Sequence, residues 1–151
     1  FGNLGEGKTP EIIHHSALLK RLIAEDKLPL KEGSLKDVTF HDPCYLGRYN
    51  DEYDAPRQSL KAVKGLRIIE MERSREKGLC CGAGGGHFWM DLKIGERVNS
   101  IRAQEAAATG ASTVATACPF CMQMMEDGVK ITDNESKLDV RDIAEVIADR
   151  L

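Results

Sequence analysis

The chain has 151 residues, of which 42% are hydrophobic, 30% charged and 5% aromatic, and its formal net charge is −3. This is enough apolar content for one ordinary core. No apolar run approaches the roughly 20 residues that a membrane span needs, and Lys and Arg alternate with acids instead of gathering into a patch, which argues against nucleic acid as a partner.

Thr9-Pro10-Glu11 has the form of a helix start, a capping residue followed by proline at the first helical position. Ile12, Leu19, Leu22 and Ile23 then share one side of a helix that ends before Pro29, with His15 on the apolar side and His14 facing solvent. Residues 31–37 read as a polar loop. Residues 35–42, with Val38, Thr39 and Phe40, read as a short buried strand that Pro43 ends just before Cys44. Past a charged loop over 51–54, Pro56 opens a helix running to about Lys64, and Gly65 closes it. A second strand over 66–71 is followed by a charged run over 72–77 and then by Cys80-Cys81. Met90, Ile94, Val98 and Ile101 recur at helical spacing, and Gly110 stands where a helix C′ residue belongs. Residues 112–117 form a third strand of small and β-branched residues, and Cys118-Pro119 starts a helix that Gly128 ends. A polar loop over 132–137 leads to a last amphipathic helix with Val140, Ile143, Ile147 and Leu151 on one face. Strands alternating with helices predict an α/β fold, a small parallel sheet flanked by helices.

The five cysteines form one pattern in this layout: Cys44, the adjacent pair Cys80 and Cys81, and Cys118 and Cys121 as Cys-Pro-Phe-Cys, separated by two nearly equal gaps. Each group follows one of the three predicted strands, so all three groups lie beyond the carboxyl ends of a parallel sheet, where open α/β sheets place ligands. An odd count in a chain of this length argues against a disulfide framework. An adjacent pair plus a Cys-x-x-Cys instead points to a shared metal or iron–sulfur site, with thiol redox chemistry and separate structural thiols as the competing readings. Cys118 and Cys121 fall near the N-cap and N3 of a helix, where unpaired N–H groups and the positive dipole end favour thiolate. The glycine run from Gly82 to Gly86, with Gly82 and Gly84 singled out, fits no nucleotide fingerprint. As the wall of a cluster it allows close backbone approach and N–H donation to sulfur.

His41-Asp42-Pro43-Cys44-Tyr45-Leu46-Gly47-Arg48, Leu79-Cys80-Cys81-Gly82-Ala83-Gly84-Gly85-Gly86 and Ala117-Cys118-Pro119-Phe120-Cys121 resemble the three signatures of the cysteine-rich CCG domain of iron–sulfur oxidoreductases. That family includes heterodisulfide reductase components of the B and D types and the glycolate oxidase iron–sulfur subunit. The resemblance runs over about residues 39–130 and includes all five cysteines. It implies an iron–sulfur domain, here the C-terminal of two tandem copies. It also implies a 4Fe–4S cluster, noncubane in the heterodisulfide reductase members, held by Cys44, Cys80, Cys81, Cys118 and Cys121. The implied role is electron transfer within a multi-component oxidoreductase, not activity of this chain alone. The implied partners are a ferredoxin-like segment, a second cysteine-rich domain or subunits, a flavoprotein and a membrane quinone system.

The rival expectation is a structural or interaction domain in which four of the five thiolates hold Zn2+. Five thiolates exceed zinc's usual demand, which favours a multi-iron cluster. Around the cysteines, His41 and His87 are candidates for hydrogen bonding to a cluster sulfur, and Arg48 for offsetting cluster charge or for a surface ion pair. Phe88 and Trp89 are candidates for covering the site or meeting a neighbouring domain, and Met122, Met124 and Met125 for filling core or an interface. A chain that opens on Phe1 without a signal-type segment is expected to be one cysteine-rich domain, residues 1–151, of a longer polypeptide. The expected location is the cytoplasm, with any membrane association supplied by parts outside this sequence.

Overall fold

Val38, Thr39 and Phe40 are all fully buried, as a central strand of a parallel sheet requires, because helices cover both of its faces. The computed structural model describes residues 10–34, 37–90 and 95–151. Four strands, β1 (Asp37–Phe40), β2 (Arg67–Ile68), β3 (Thr113–Thr116) and β4 (Asp139–Asp142), pair in the order β2-β1-β3-β4, all parallel. Val38 stands opposite both Ile68 and Thr113, and Val114 opposite Val140. The inner strand β3 is buried at every position, whereas the edge strands are a two-residue β2 and a mostly polar β4, which blunts the edges against further pairing.

The pleat sends alternate side chains to opposite faces. Val38, Phe40, Ala115 and Ala117 pack with Leu46, Leu60, Ile143 and Val146 on the side covered by α1 (His15–Ala24), α3 (Asp54–Lys61) and α6 (Ile143–Ala148). Val114 packs on the other side with Ala103 and Ala106 of α4 (Val98–Ala108) and Met125 and Val129 of α5 (Pro119–Ile131). A short turn of helix, α2 (Cys44–Gly47), follows Pro43 directly. The expected small parallel sheet between helices is therefore present, with a fourth strand where three were expected.

Several boundaries differ, each for a local reason. Pro10 to His14 is not helical and Ile12 is 81% exposed; α1 starts at His15 because His14, in extended conformation, caps it by accepting the Ser16 N–H at 3.2 Å. The expected cap, Thr9, lies outside the described residues. His15 is not core but pairs with Asp142 at 3.2 Å. Met90 is extended and Ile94 lies outside the described residues. Gly95 at φ 67 is left-handed, so the periodic run from Met90 becomes helix only from Val98. Gly128 does not end α5, which continues to Ile131. It is instead the point where α4 crosses, since a Cβ there would stand 2.5 Å from the Asn99 carbonyl oxygen. Val140 belongs to β4, not to the last helix, which begins at Ile143 behind a capping box of Asp142 and Glu145. The predicted strand over 66–71 pairs only at Arg67 and Ile68, and the helix at Pro56 runs from Asp54 to Lys61, opened by Glu52 accepting the Asp54 and Ala55 N–H groups.

Candidate metal centre

Cys44 opens α2 four residues beyond β1, Cys80 and Cys81 follow β2, and Cys118, two residues beyond β3, is the N-cap of α5, with Pro119 at its first helical position. A parallel sheet aligns the carboxyl ends of its strands, so three distant loops converge. All five cysteines, free thiols, line one cavity of about 270 Å³, with Cys81 and Cys121 buried at its floor and Cys44, Cys80 and Cys118 half-buried around it.

The two glycines singled out behave differently. Gly84 lines the cavity, and a Cβ on it would meet nothing within 4 Å. Gly82 turns the chain after the cysteine pair at φ 91 and donates its N–H to Cys80 Sγ at 3.3 Å, with Val98 and Met124 packed close behind it.

The neighbouring sulfurs shift one another's proton affinity. Cys118 is pulled down to about 6, first by the Cys121 thiol and then by the backbone N–H groups of Cys121 and Phe120 at the start of α5, against a burial effect that opposes it. Cys81 is held far below the usual thiol range by Cys121 and Cys80, with His41 adding to them. Cys121 and Cys80 are pushed up as the matching donors, Cys121 chiefly by Cys118 and Cys80 chiefly by Cys81. Thiols that shift one another in one hollow are soft donors of the kind a thiophilic metal takes.

Charged residues that no sequence motif marks hold the loops. Arg57, 2% exposed in α3, grips both oxygens of buried Asp42 at 2.6 and 2.9 Å and both of Glu70 at 2.6 and 2.8 Å, and its guanidinium lies 5.1 Å from the Phe40 ring centroid. Burial alone would lower the Arg57 pKa, but the two carboxylates outweigh it and raise it. Asp42 also accepts the Arg75 N–H at 2.8 Å, so the loop bearing Cys44 is tied to the loop that leads to Cys80. Arg48 adds a second tie by donating to the Gly78 carbonyl oxygen, the role its exposed position allows. The only sign of this network in the sequence is the Asp of the His-Asp-Pro-Cys string; nothing in the chain marks Arg57 as its partner.

His41 is fully buried, and one of its ring nitrogens lies within 4.8 Å of the sulfurs of Cys81 and Cys121. Desolvation lowers its pKa, and the Cys81 contact opposes that. His87 does not reach the cysteines: it is exposed and lines a neighbouring groove with Met90 and Arg97. Phe88 stands edge-on to Trp89 and Phe120, at centroid distances of 4.7 and 5.2 Å, and closes one side of the cavity. Trp89 at 80% and Tyr45 at 71% exposure make its rim aromatic. Met124 packs directly against Cys81 and Cys121, while Met125 fills the core under the sheet.

Known proteins are similar to this chain. Residues 38–126 match the family described as CCG, the cysteine-rich domain. A Bacillus subtilis protein named "Probable iron-sulfur-binding oxidoreductase FadF" is 44% identical over 138 residues, covering 91% of this chain and 20% of its own length. The EtfAB:quinone oxidoreductase of Syntrophomonas wolfei is 42% identical over 149 residues, 93% of this chain and 21% of its own. One component of the dihydromethanophenazine:CoB--CoM heterodisulfide reductase of Methanosarcina mazei is 39% identical over 152 residues, 98% of this chain and 36% of its own. The chain therefore spans between a fifth and little more than a third of these relatives. Among the described residues no helix is long and apolar enough to cross a membrane. With three cysteine groups converging at the carboxyl edge of a parallel sheet, and a family match that spans all of them, the chain belongs to the cysteine-rich CCG domain family.

Proposed function

We propose that this chain is one cysteine-rich domain, the electron-transfer module of a larger oxidoreductase, and that Cys44, Cys80, Cys81, Cys118 and Cys121 together hold a 4Fe–4S cluster. The observation that carries this reading is the single cavity lined by all five sulfurs. The donor set fits such a group: the sulfurs are soft, the Cys81 and Cys118 thiols are pulled down, and the Gly82 N–H already bonds a cysteine sulfur. When bound, the cluster supplies a site that takes up and releases single electrons. The chain's own residues do the rest. Phe88 and Phe120 shut water from one flank, the glycine backbone leaves room beside the sulfurs, and the Asp42–Arg57–Glu70 network keeps the loops in register.

The relatives' names support a place among iron–sulfur oxidoreductases, and their greater length supports further domains or subunits as electron donor and acceptor. A ferredoxin-like segment, a second cysteine-rich domain, a flavoprotein and a quinone pool are the partners proposed. Zinc is the second reading, and the observation that favours it is the trio of His41, Cys81 and Cys121 at ligand-like spacing, a different set from the four cysteines expected. Protein purified without oxygen separates the two: about four irons with inorganic sulfide per chain and brown colour support the cluster, and stoichiometric zinc without visible absorption refutes it.

A further inference from the structure

His41 and Arg102 are both fully buried, with His41 Nδ1 3.0 Å from Arg102 Nε. Guanidinium nitrogens can only donate, so Nδ1 presents its lone pair and the neutral ring carries its proton on Nε2. A doubly protonated ring would set N–H against N–H beside a cation. Arg102 is itself held in place, since its Nη1 donates to the Arg73 carbonyl oxygen at 2.8 Å and to Glu105 at 2.7 Å, and Glu105 also pairs with Arg73.

His41 Nε2 is buried and has no hydrogen-bond partner, sulfur included, among the described residues. One nitrogen of the same ring lies within 4.8 Å of the sulfurs of Cys81 and Cys121, the nearest cysteines it could serve. The spacing would also suit a metal ligand. An imidazole bound to metal through Nε2, however, keeps its proton on Nδ1 and donates it to a carboxylate, carbonyl or water. Here Arg102 already points a hydrogen at that atom.

We propose that Arg102 is a positioning residue that fixes His41 as an Nε2–H donor to a sulfur of the cysteine site, so that His41 tunes the electron affinity of the bound cluster without ligating it. The redox consequence rests on the iron–sulfur reading above; the tautomer does not. A hydrogen bond to cluster sulfur stabilises the extra negative charge of the reduced state and raises the potential.

The first test needs neither variant nor cluster. Long-range proton–nitrogen correlation spectra of metal-free, reduced protein labelled with 15N-histidine should show His41 with the proton on Nε2, and the opposite tautomer overturns the proposal. In the iron-loaded protein, pulsed EPR of the reduced cluster should show weak coupling to the His41 nitrogen, transmitted through a hydrogen bond. Strong coupling of a bound nitrogen, or none, overturns it. His41→Leu should retain iron and lower electron affinity roughly tenfold, about 59 mV for a one-electron couple. Arg102→Met should shift the potential in the same direction, and the double variant should shift it by less than the sum. Additive shifts would reduce Arg102 to a distant charge, and unchanged potentials with a lower Tm would reduce the pair to packing. A protein that holds zinc and no iron would defeat the cluster reading and its redox consequence while leaving the tautomer measurement standing.

Discussion

The five sulfurs of the cavity come from three separate loops, so substitutions at one cysteine of each report on separate loops. Cys44→Ser, Cys81→Ser and Cys118→Ser are each expected to reduce iron retention or alter the cluster spectrum in anaerobically prepared protein, and unchanged spectra in all three would remove the shared centre. Cys118 offers a second readout in metal-free protein. Its thiol is held at about 6 against an ordinary 9.0, so between these values the folded state has released a proton that the unfolded chain still binds. Stability of the metal-free fold should therefore rise with pH from about 6 to about 9 and be lost again as pH falls through 6, with Cys81 acting in the same direction. Denaturant titrations under reducing conditions check the slope, which Cys118→Ser should flatten. The cysteines are legible in the sequence because their neighbours, a proline, glycines and a helix start, announce them one residue at a time. Asp42–Arg57 and His41–Arg102 are not, because their partners stand 15 and 61 residues apart and no local pattern joins them.

At the scale of elements, the loops are held by charge and the helices by close approach. Removing one side of the Asp42–Arg57 pair strands the other charge in the interior, so Arg57→Met is expected to cost about 3–5 kcal/mol in urea unfolding and to weaken iron retention through the loop bearing Cys44. Undiminished stability would mean that the network is incidental. Gly128→Ala should cost about 1–3 kcal/mol, because the added methyl presses on the Asn99 carbonyl where α4 and α5 cross. That glycine also shows why helix boundaries are hard to read from sequence. Glycine permits both a helix stop and a helix crossing, and only the presence of α4 decides between them. β4 is hidden for a related reason: Asp-Val-Arg-Asp has one apolar residue, and its extended form comes from pairing with β3. The helix starts at Cys118 and Ile143 are local matters, set by a proline and by a capping box, yet only the first stands out in the sequence.

At the scale of the whole molecule, the cavity opens through an aromatic rim in which Trp89, Tyr45 and Phe120 are exposed, and Tyr45 stacks on Tyr49 at 4.6 Å. Exposed aromatics gathered at one edge of a protein mark a contact surface, and here the contact would bring a redox partner close to the cysteines. Trp89 touches the cavity from its outer side, so Trp89→Ala should leave the cluster spectrum and the fold intact while slowing electron exchange with the larger enzyme, measured by stopped-flow absorbance. An altered spectrum would instead make Trp89 a lid. As the proposed electron-transfer module, the chain would carry out half of a reaction. A redox cycle needs a donor and an acceptor, and the relatives are several times longer than this chain. Loaded with iron, the isolated chain should be reduced by dithionite and reoxidised by a chemical acceptor, yet show no steady-state turnover with hydroxy acids, disulfides or quinones until partner domains are added. Turnover by the 151-residue chain alone would mean that substrate and second redox partner both bind at this one cavity, and would overturn its assignment as a module.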